Sequence, residues 1–415
     1  MMRGRWLVAL LIPAAGLAYA CGSFDGADTG TNLGGPVEAG GPDAALEAAP
    51  GSDGGGGVSC AVSVVSEAMP DANCLGPAMP AVALESSPLH CGRCGHSCLG
   101  ATCANGFCAP ENLHSDAGVV ALGDVSADHA YYLTGPDVQR VAFLGRAVEV
   151  VARTTRQGAY MTSFVREGDR LYVTDRVSNS NSTVIGTVPS IAATDGGAIT
   201  PLLETSGNTL VADSTNLYFV NYASLFKVNK AGGATPDTIQ DNPEQAFVIL
   251  GPVSRTDVLY WIVSQTTAAD GGALTRKLFA RTSDGTVIMR SDELDGPTAL
   301  AVDDTDVYWT DSSTKRVMRI ARAGVTGPSV VAEWPGTNAA VKSLLLDGDY
   351  VYWTVSENGN AGAAVVIYRA PKCAGPGVAR VIVATNPGGE YYGALLADAN
   401  YLYYGGLTGI WRVAK

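Results

Sequence analysis

Cysteine is the residue whose number and spacing carry the clearest chemistry in this sequence. A dense group of seven is followed, far along the chain, by an eighth: Cys60, Cys74, Cys91, Cys94, Cys98, Cys103, Cys108 and Cys373. In an exported protein such density predicts a disulfide-stabilised stub, because so short a segment cannot build an adequate hydrophobic core. Seven is an odd number, so one stub cysteine must pair with Cys373, pair with another chain or stay unpaired; we expect a bridge to Cys373. The remaining connectivity stays open.

Zinc binding is the alternative chemistry for this segment. Cys91 and Cys94 are spaced like a ligand pair, and His90 and His96 lie beside them. Structural zinc sites normally use two such pairs at regular spacing, which this segment lacks, and an oxidising compartment disfavours free thiolates. We therefore expect disulfides, with no metal and no other cofactor.

The remaining cysteine, Cys21, directly follows an export signal. Arg3 and Arg5 form a basic start, and the apolar run from Trp6 to Ala20 suits the core of a signal peptide and is short for a membrane span. The string from Leu17 to Cys21 resembles a bacterial lipobox. We therefore interpret residues 1–20 as a signal peptide and Cys21 as a lipidated residue. An ordinary secretory signal cleaved after Ala20 is the alternative.

The segment after Cys21 is typical of a tether. Residues 22–59 are mostly Gly, Ala, Pro, Asp and Glu and offer almost nothing apolar to bury, so 21–59 is expected to be a disordered linker. The Cys-rich stub then spans 60–108. Gly22 follows the lipid cysteine, which predicts the outer membrane by the sorting rule of enteric bacteria. The sequence thus predicts an envelope lipoprotein, held on the periplasmic face or the cell surface by its lipid.

Residues suited to catalysis are scarce beyond the stub. The chain has four histidines, of which His90, His96 and His114 lie in or beside the stub, and it lacks the common nucleophile-elbow, zinc-protease and P-loop motifs. The formal net charge of −13 would repel a phosphate backbone, so nucleic acid is excluded as a partner. No catalytic residue is therefore assigned.

A repeat fills the rest of the chain. A Tyr preceded by an aliphatic residue or Ala, and by a turn rich in Asp or Asn, recurs every 41 to 51 residues, at Tyr131, Tyr172, Tyr218, Tyr260, Tyr308, Tyr352 and Tyr403. Seven such anchors at this spacing match the four-strand blades of a β-propeller. Only 16% of residues are charged and 50 are glycine, which argues against a helical bundle.

One unit shows four short strands separated by turn residues. They are Thr298 to Val302, Val307 to Thr310, Val317 to Ile320 and Ser329 to Ala332. The last unit ends after a third strand, and residues 109–114 precede the first unit, where they could supply the missing outer strand and close the ring. The predicted fold is all-β: a seven-bladed propeller over 109–415, with six blades as the alternative, preceded by the disulfide-rich stub.

The repeat resembles the YWTD-type propeller of low-density-lipoprotein-receptor relatives. Tyr308 to Asp311 carries the tetrapeptide intact, and Tyr352 to Thr354 keeps three of its positions. The order of lipobox, spacer, a stub reading CGRCGHSCLGATCANGFC and YWTD-like repeats is similar to a class of predicted lipoproteins from myxobacteria. That resemblance implies the fold and the envelope location, and it implies no chemistry.

Two groups of polar or aromatic residues stand out against the repeat. The acids Asp213, Asp303, Asp347 and Asp398 recur at one register and predict Asx-type turns between first and second strands. Residues that do not repeat are better candidates for function, because packing does not explain them. A candidate binding face at one mouth of the channel contains Arg156, Tyr160, Glu244, Trp334, Glu390, Tyr391 and Tyr392.

Two functions remain open at this point. The tether and the absence of catalytic motifs favour a non-catalytic, envelope-anchored binding or scaffold propeller for a protein or glycan ligand. The alternative is a propeller enzyme, such as a metal-dependent lactonase, a cyclotransferase or a lyase. A lactonase site can be built from Glu, Asp and Asn, so the scarcity of His does not exclude it.

Overall fold

The computed structural model describes most of the repeat region and the later part of the stub. The described residues are 71–72, 82–115, 121–178, 182–189, 196–207, 209–221, 224–232, 235–240, 248–255, 258–266, 274–282, 285–291, 294–323, 327–334, 340–356, 365–373, 375, 381–386, 391–406 and 409–415. The predicted signal peptide, Cys21, the linker, Cys60, Cys74, Glu244 and Glu390 lie outside them. Among the described residues every regular element is a strand. This part of the chain contains no helix with the length and apolar character that a membrane crossing requires.

Five short strands precede the first blade. The first four form two small hairpins, and the fifth joins the ring; they are β1 (Asp71–Ala72), β2 (Val82–Ala83), β3 (Cys103–Ala104), β4 (Phe107–Cys108) and β5 (Glu111–His114).

The next strands form six antiparallel sheets of four strands, each sheet built from consecutive strands. Blades one to three are β6 (Ala121–Val125), β7 (His129–Leu133), β8 (Asp137–Ala142), β9 (Val148–Arg153); β10 (Ala159–Glu167), β11 (Arg170–Val177), β12 (Thr183–Pro189), β13 (Thr200–Thr205); β14 (Thr209–Ala212), β15 (Asn216–Asn221), β16 (Ser224–Asn229), β17 (Asp237–Gln240). Blades four to six are β18 (Val248–Arg255), β19 (Val258–Thr266), β20 (Leu274–Arg281), β21 (Val287–Ser291); β22 (Pro297–Val302), β23 (Asp306–Asp311), β24 (Arg316–Ala321), β25 (Ser329–Glu333); β26 (Ala340–Asp347), β27 (Tyr350–Ser356), β28 (Val365–Pro371), β29 (Val381–Asn386).

Blade seven joins the two ends of the repeat region. Its first three strands are β30 (Tyr391–Ala397), β31 (Tyr401–Gly406) and β32 (Gly409–Ala414), and β5 pairs with β32 as the outer strand, with Asn112 opposite Trp411. Each inner strand contacts the inner strand of the next blade around the whole ring, including β30 and β6. The predicted seven blades and the closure by residues 109–114 are confirmed, and the six-bladed alternative is wrong.

The repeated tyrosines belong to the core between blades, as the period predicts. All seven lie on second strands, and each is at most 5% exposed. Successive residues of a strand point to opposite faces of the sheet. Near the centre of the ring, each face of a blade packs against one of its two neighbouring blades. The aliphatic residue before each Tyr and the aromatic or branched residue after it are therefore buried too, as Val307, Tyr308 and Trp309 show.

The stub packs against the ring instead of standing apart from it. Cys91 bonds to Cys103 and Cys98 bonds to Cys108, and the four half-cystines share one buried cluster with Tyr352 of blade six. Further members of that cluster come from blades six and seven: Ile367, Leu395, Leu402, Tyr404, Val413 and Ala414. The stub thus covers the seam between blades six and seven, next to the place where the ring closes.

The sulfur atoms of the stub cysteines that the structure describes all belong to disulfides. The sulfurs of Cys91, Cys98 and Cys103 lie within 4.8 Å of one another, and all three belong to the two bridges, so they supply no thiolate for zinc. Cys94 and Cys373 are disulfide-bonded as well. A bridge between Cys373 and the stub stays a prediction, because neither of the two bridges whose partners are both described includes Cys373.

Candidate functional site

The ring has two chemically different ends. Inner strands begin at the end that we call upper, where fourth strands lead into the next blade and second strands lead into third strands. The lower end carries the turns between first and second strands and between third and fourth strands. Repeated polar residues collect at the lower end, whereas the candidate binding face was predicted at the upper end.

The repeated acids of the lower end are turn residues. Asp213 Oδ1 accepts hydrogen bonds from the backbone N–H groups of Thr215 at 2.8 Å and Asn216 at 2.6 Å. Asp303 and Asp398 bind their own turns in the same way. Burial raises the pKa of Asp213, but the Tyr218 hydroxyl and these N–H donors outweigh it, so the pKa lies below its ordinary value. The Asx-turn interpretation is confirmed at these three positions.

Asp347 is an exception among the four predicted turn acids. Its Oδ2 pairs with Nζ of Lys415, the residue that follows the third strand of blade seven, and Lys415 Nζ also donates to Asp398 O at 2.6 Å. The turn that follows Asp347, between the first and second strands of blade six, contains Gly348 with a φ of 52°. A glycine there adopts the left-handed conformation directly, so no Asx turn is needed. Asp347 therefore ties blade six to blade seven.

Other blades repeat this connection. Lys230, which follows the third strand of blade three, pairs with Glu167 of blade two and donates to the carbonyl of Asp213 in its own blade. Arg322 of blade five donates to the Tyr260 hydroxyl of blade four at 2.9 Å and to Asp303 O at 3.2 Å. In these three blades, a basic residue after the third strand thus connects the turn between the first and second strands of its own blade to the preceding blade.

The upper ends of blades one and two hold a different arrangement. Asp137 starts β8 and lies directly opposite Arg153 at the end of β9. Nε and Nη2 of Arg153 each donate to one carboxylate oxygen of Asp137 at 2.8 Å. The Asp137 side chain is 7% exposed and that of Arg153 is 54% exposed, so the acid lies beneath and the guanidinium faces solvent.

Arg156 and Asp175 form a second pair at the seam between the same blades. Nη1 of Arg156 donates to the backbone carbonyl of Asp175 and Nη2 to Ser182 Oγ, both at 2.9 Å. Thr154 Oγ1 donates to Asp175 Oδ2 at 2.9 Å. Asp175 is 2% exposed, and burial raises its pKa against the opposing effects of Thr154 and Arg156. Its Oδ1 has no hydrogen-bond partner among the described residues.

Tyr160 lies at the upper end of β10, four residues after Arg156. It is 36% exposed and stands directly opposite Arg176 of β11, which in turn stands opposite Thr183 of β12. Directly opposed residues of an antiparallel sheet share one face. Tyr160, Arg176 and Thr183 therefore form a row across blade two. We call Arg153, Arg156, Tyr160 and Arg176 the arginine–tyrosine patch.

The structure brings together only part of the predicted binding face. Arg156 and Tyr160 belong to the patch, whereas Trp334 is 3% exposed and packs 6.2 Å from Trp353, between ring centroids, in the core of blades five and six. Its ring is therefore unavailable to a ligand in this structure. The backbone of Tyr391 and Tyr392 lies on the inner strand of blade seven. Glu244, Glu390 and the side chains of Tyr391 and Tyr392 are outside the described part.

Sequence reasoning missed four residues of this site, Asp137, Arg153, Asp175 and Arg176. A signal for Asp175 was present, because Tyr172 to Asp175 reads YVTD and differs from the intact tetrapeptide at Tyr308 to Asp311 by one residue. Asp137 and Arg153 gave no such signal, since their pairing depends on the register of β8 and β9. That register contains a bulge that the sequence does not reveal.

Comparisons with known proteins agree on the fold. A chain of the mitotic checkpoint complex has a TM-score of 0.51 and 13% identity, covering 74% of this chain and 90% of that one. A prolyl endopeptidase has a TM-score of 0.50 and 9% identity, covering 74% of this chain and 51% of that one. A chain of the nidogen/laminin complex has a TM-score of 0.43 and 14% identity, covering 62% of this chain and 93% of that one. No protein-family model and no curated protein sequence matches this chain.

These similarities extend to the propeller and no further. At such identities a shared fold is compatible with unrelated activities, and the two higher-scoring proteins are a checkpoint assembly and a peptidase. Function therefore has to be argued from the residues of this chain.

A buried acid at the lower end of the same seam leads to a pH prediction. Asp124 of blade one pairs with Arg166 of blade two and is 7% exposed. Burial raises its pKa from 3.8 to about 6, although Arg166 acts in the opposite direction. Because the folded pKa exceeds the unfolded one, the group's stabilisation is complete below pH about 4 and is lost as the pH rises through about 6.

The free energy of unfolding of the wild type, measured by urea denaturation, should therefore fall relative to Asp124→Asn between pH 4 and pH 7. The expected relative change is on the order of 3 kcal/mol, since one pKa unit corresponds to about 1.4 kcal/mol. A difference between the two proteins that stays constant over this range would contradict the assigned environment of Asp124.

Proposed function

We propose that the protein is an exported, lipid-anchored propeller that binds a ligand without transforming it. One observation carries the non-catalytic part of the proposal. The seven inner strands contain three acids, Asp124, Glu167 and Asp347, and each is ion-paired with a base of a neighbouring blade, as described above. Such pairs join neighbouring blades, and each carboxylate already has a basic partner. A metal-dependent hydrolase of the propeller type would instead need carboxylates free to bind a cation.

The binding part of the proposal rests on the arginine–tyrosine patch. Its residues do not recur in the other blades, so the packing of the repeat does not require them. Arg153 and Tyr160 are exposed, and Arg156 is held in one orientation by Asp175 and Ser182. Exposed arginine and tyrosine are the side chains that most often dominate binding surfaces.

The anchor is proposed from Cys21 and the segment around it. Replacing Cys21 by Ala should release the protein from the membrane fraction or leave it unprocessed. Processing and membrane fractionation of the variant that match those of the wild type would refute lipidation at Cys21.

Capture from the native envelope tests the binding function. Full-length protein with an affinity tag is cross-linked in the envelope and recovered beside two variants, Tyr160→Ala and Arg316→Gln. Arg316 is a matched control, because it lies at the upper end of blade five opposite Glu333, to which its Nε donates at 2.9 Å. We expect ligands that are lost with Tyr160→Ala and kept with Arg316→Gln.

Two results would overturn the proposal. One is a captured set that is the same for all three proteins. The other is a bound divalent ion in the purified protein together with turnover of a lactone, an amide or a glycosidic substrate that the ion supports.

A further inference from the structure

The arginine–tyrosine patch presents positive charge on a protein that is negative as a whole. The chain has a formal net charge of −13, yet the two acids that pair with Arg153 and Arg156, namely Asp137 and Asp175, are buried beneath those arginines. The Arg153 side chain is 54% exposed and that of Arg156 is 28% exposed. A ligand approaching the upper end of this seam therefore meets guanidinium groups first, so the surface selects for negative charge.

The guanidinium groups are fixed before a ligand arrives. Asp137 accepts from Nε and Nη2 of Arg153, whose side chain stays 54% exposed. The carbonyl of Asp175 and Ser182 Oγ hold Arg156. A guanidinium already held by a carboxylate or carbonyl loses little side-chain entropy on binding, and its planar donors suit a carboxylate. The geometry favours a carboxylate over a diffuse negative surface.

Tyr160 adds a flat apolar surface at the same upper end of blade two, on the face of the blade opposite to Asp175. Its position opposite Arg176 sets a ring and a guanidinium side by side on one face of blade two. Tyr160 is 36% exposed and lies at the edge of the blade that is next to the upper loops. An aromatic ring of this kind packs against the apolar C–H face of a sugar, while the neighbouring arginine reaches the substituents of that sugar.

Two buried hydrogen-bonding groups at the upper end of blade two, one on each face of the blade, lack partners among the described residues. Asp175 Oδ1 and Thr183 Oγ1 are buried and unpartnered among the described residues. The equivalent acid of blade five shows that this is not required by the fold: Asp311 accepts from the N–H groups of Gly296, Ser313 and Thr314 at 2.9–3.0 Å, through both of its oxygens. Buried acceptors are normally satisfied. A hydroxyl-rich ligand supplies the missing donor at Asp175, directly or through a water.

We propose that the arginine–tyrosine patch binds an acidic carbohydrate, that is, a polysaccharide segment with sugar carboxylates. Carboxylates pair with the arginines, a sugar face packs on Tyr160, and hydroxyl groups donate towards Asp175. An acidic peptide offers the carboxylates and lacks the ring of hydroxyl groups. This inference rests on the proposed binding function and assigns its ligand class.

Calorimetric titration of the full chain tests the assignment with three probes. The first is a de-esterified oligogalacturonate, the second the same oligomer with its carboxylates methyl-esterified, and the third poly-glutamate of equal charge. We expect the de-esterified sugar to bind at least about tenfold more tightly than either of the others, the free-energy equivalent of one good charge-assisted contact. Raising the salt concentration should weaken this binding.

Point variants locate the site. Tyr160→Ala and Arg176→Gln should each weaken binding of the de-esterified sugar about tenfold. Arg316→Gln should leave it unchanged, since that arginine lies at the upper end of a different blade, where it pairs with Glu333. Thermal unfolding of each variant shows whether it is folded, and Tyr160→Phe, which keeps the ring, separates loss of stacking from loss of fold by retaining affinity.

Each of the other possible results refutes either the carbohydrate assignment or the non-catalytic function. Equal affinity for poly-glutamate, or binding that survives Tyr160→Ala, refutes the carbohydrate assignment, and so does failure of the folded protein to bind the oligogalacturonate. If the folded protein does not bind the oligogalacturonate, the cross-linking capture from the envelope still tests whether the protein binds any ligand. Shortened sugar products in the titration cell would refute the non-catalytic function while leaving the ligand class in place.

Discussion

Replacing Leu113 by Asp should lower the free energy of unfolding by about 4 kcal/mol or more, one of the largest effects expected of a single substitution. Leu113 lies on the closing strand β5, is 2% exposed and packs with Leu122, Tyr132, Tyr403 and Ile410. An aspartate there would bury an unpaired charge among residues of blades one and seven. The blades share a continuous ring, so weakening one seam should lower the stability of the whole domain.

The neighbouring Asn112 offers the control for this substitution. Its Oδ1 accepts a hydrogen bond from Ser115 Oγ at 2.9 Å, and an aspartate at that position can accept the same bond. Asn112→Asp should therefore change the unfolding midpoint in urea far less than Leu113→Asp. Equal midpoints for the two variants would show that β5 is not packed into the ring.

Replacing Trp353 by Ala should cost about 3–5 kcal/mol of stability, the range found for large aromatic side chains removed from a core. Trp353 is fully buried and stacks on Tyr368 with ring centroids 5.6 Å apart. It also contacts Trp334, so its loss would leave a cavity between blades five and six. Urea or thermal unfolding measures the change.

Tyr160→Ala is the comparison for this second substitution. It removes an aromatic ring as well, but from the upper surface, and should cost about 1 kcal/mol or less. A Trp353→Ala variant that unfolds like Tyr160→Ala would contradict the burial assigned to the second strands.

Most of the fold could be predicted from the sequence because the fold is a repeat. The seven tyrosines fixed the number of blades, and the missing fourth strand of the last unit pointed to residues 109–114. The contacts between blades were harder to foresee. Lys230 and Lys415 bind acids of the preceding blade. The one sequence signal for these contacts was that a basic residue follows the third strand in several units.

The candidate site was predicted only in part, for a physical reason. Residues that do not repeat have no period to reveal their environment. Arg156 and Tyr160 were assigned to the upper end from loop order alone, and the same logic placed Trp334 there, although its side chain turns into the core. The burial of Asp137 and Asp175 beneath arginines depends on strand pairing and loop conformation, which a sequence without homologues does not specify.

Single-residue amide hydrogen exchange over β32 (Gly409–Ala414) tests the closed ring most directly. A strand with partners on both sides has nearly all its amides in hydrogen bonds, whereas an edge strand leaves alternate amides open to solvent. The outer strand β21 (Val287–Ser291) is the reference for an edge in the same molecule. If β5 closes the ring, nearly all β32 amides should be protected while β21 alternates. Alternating protection along β32 like that of β21 would contradict closure by the N-terminal strand.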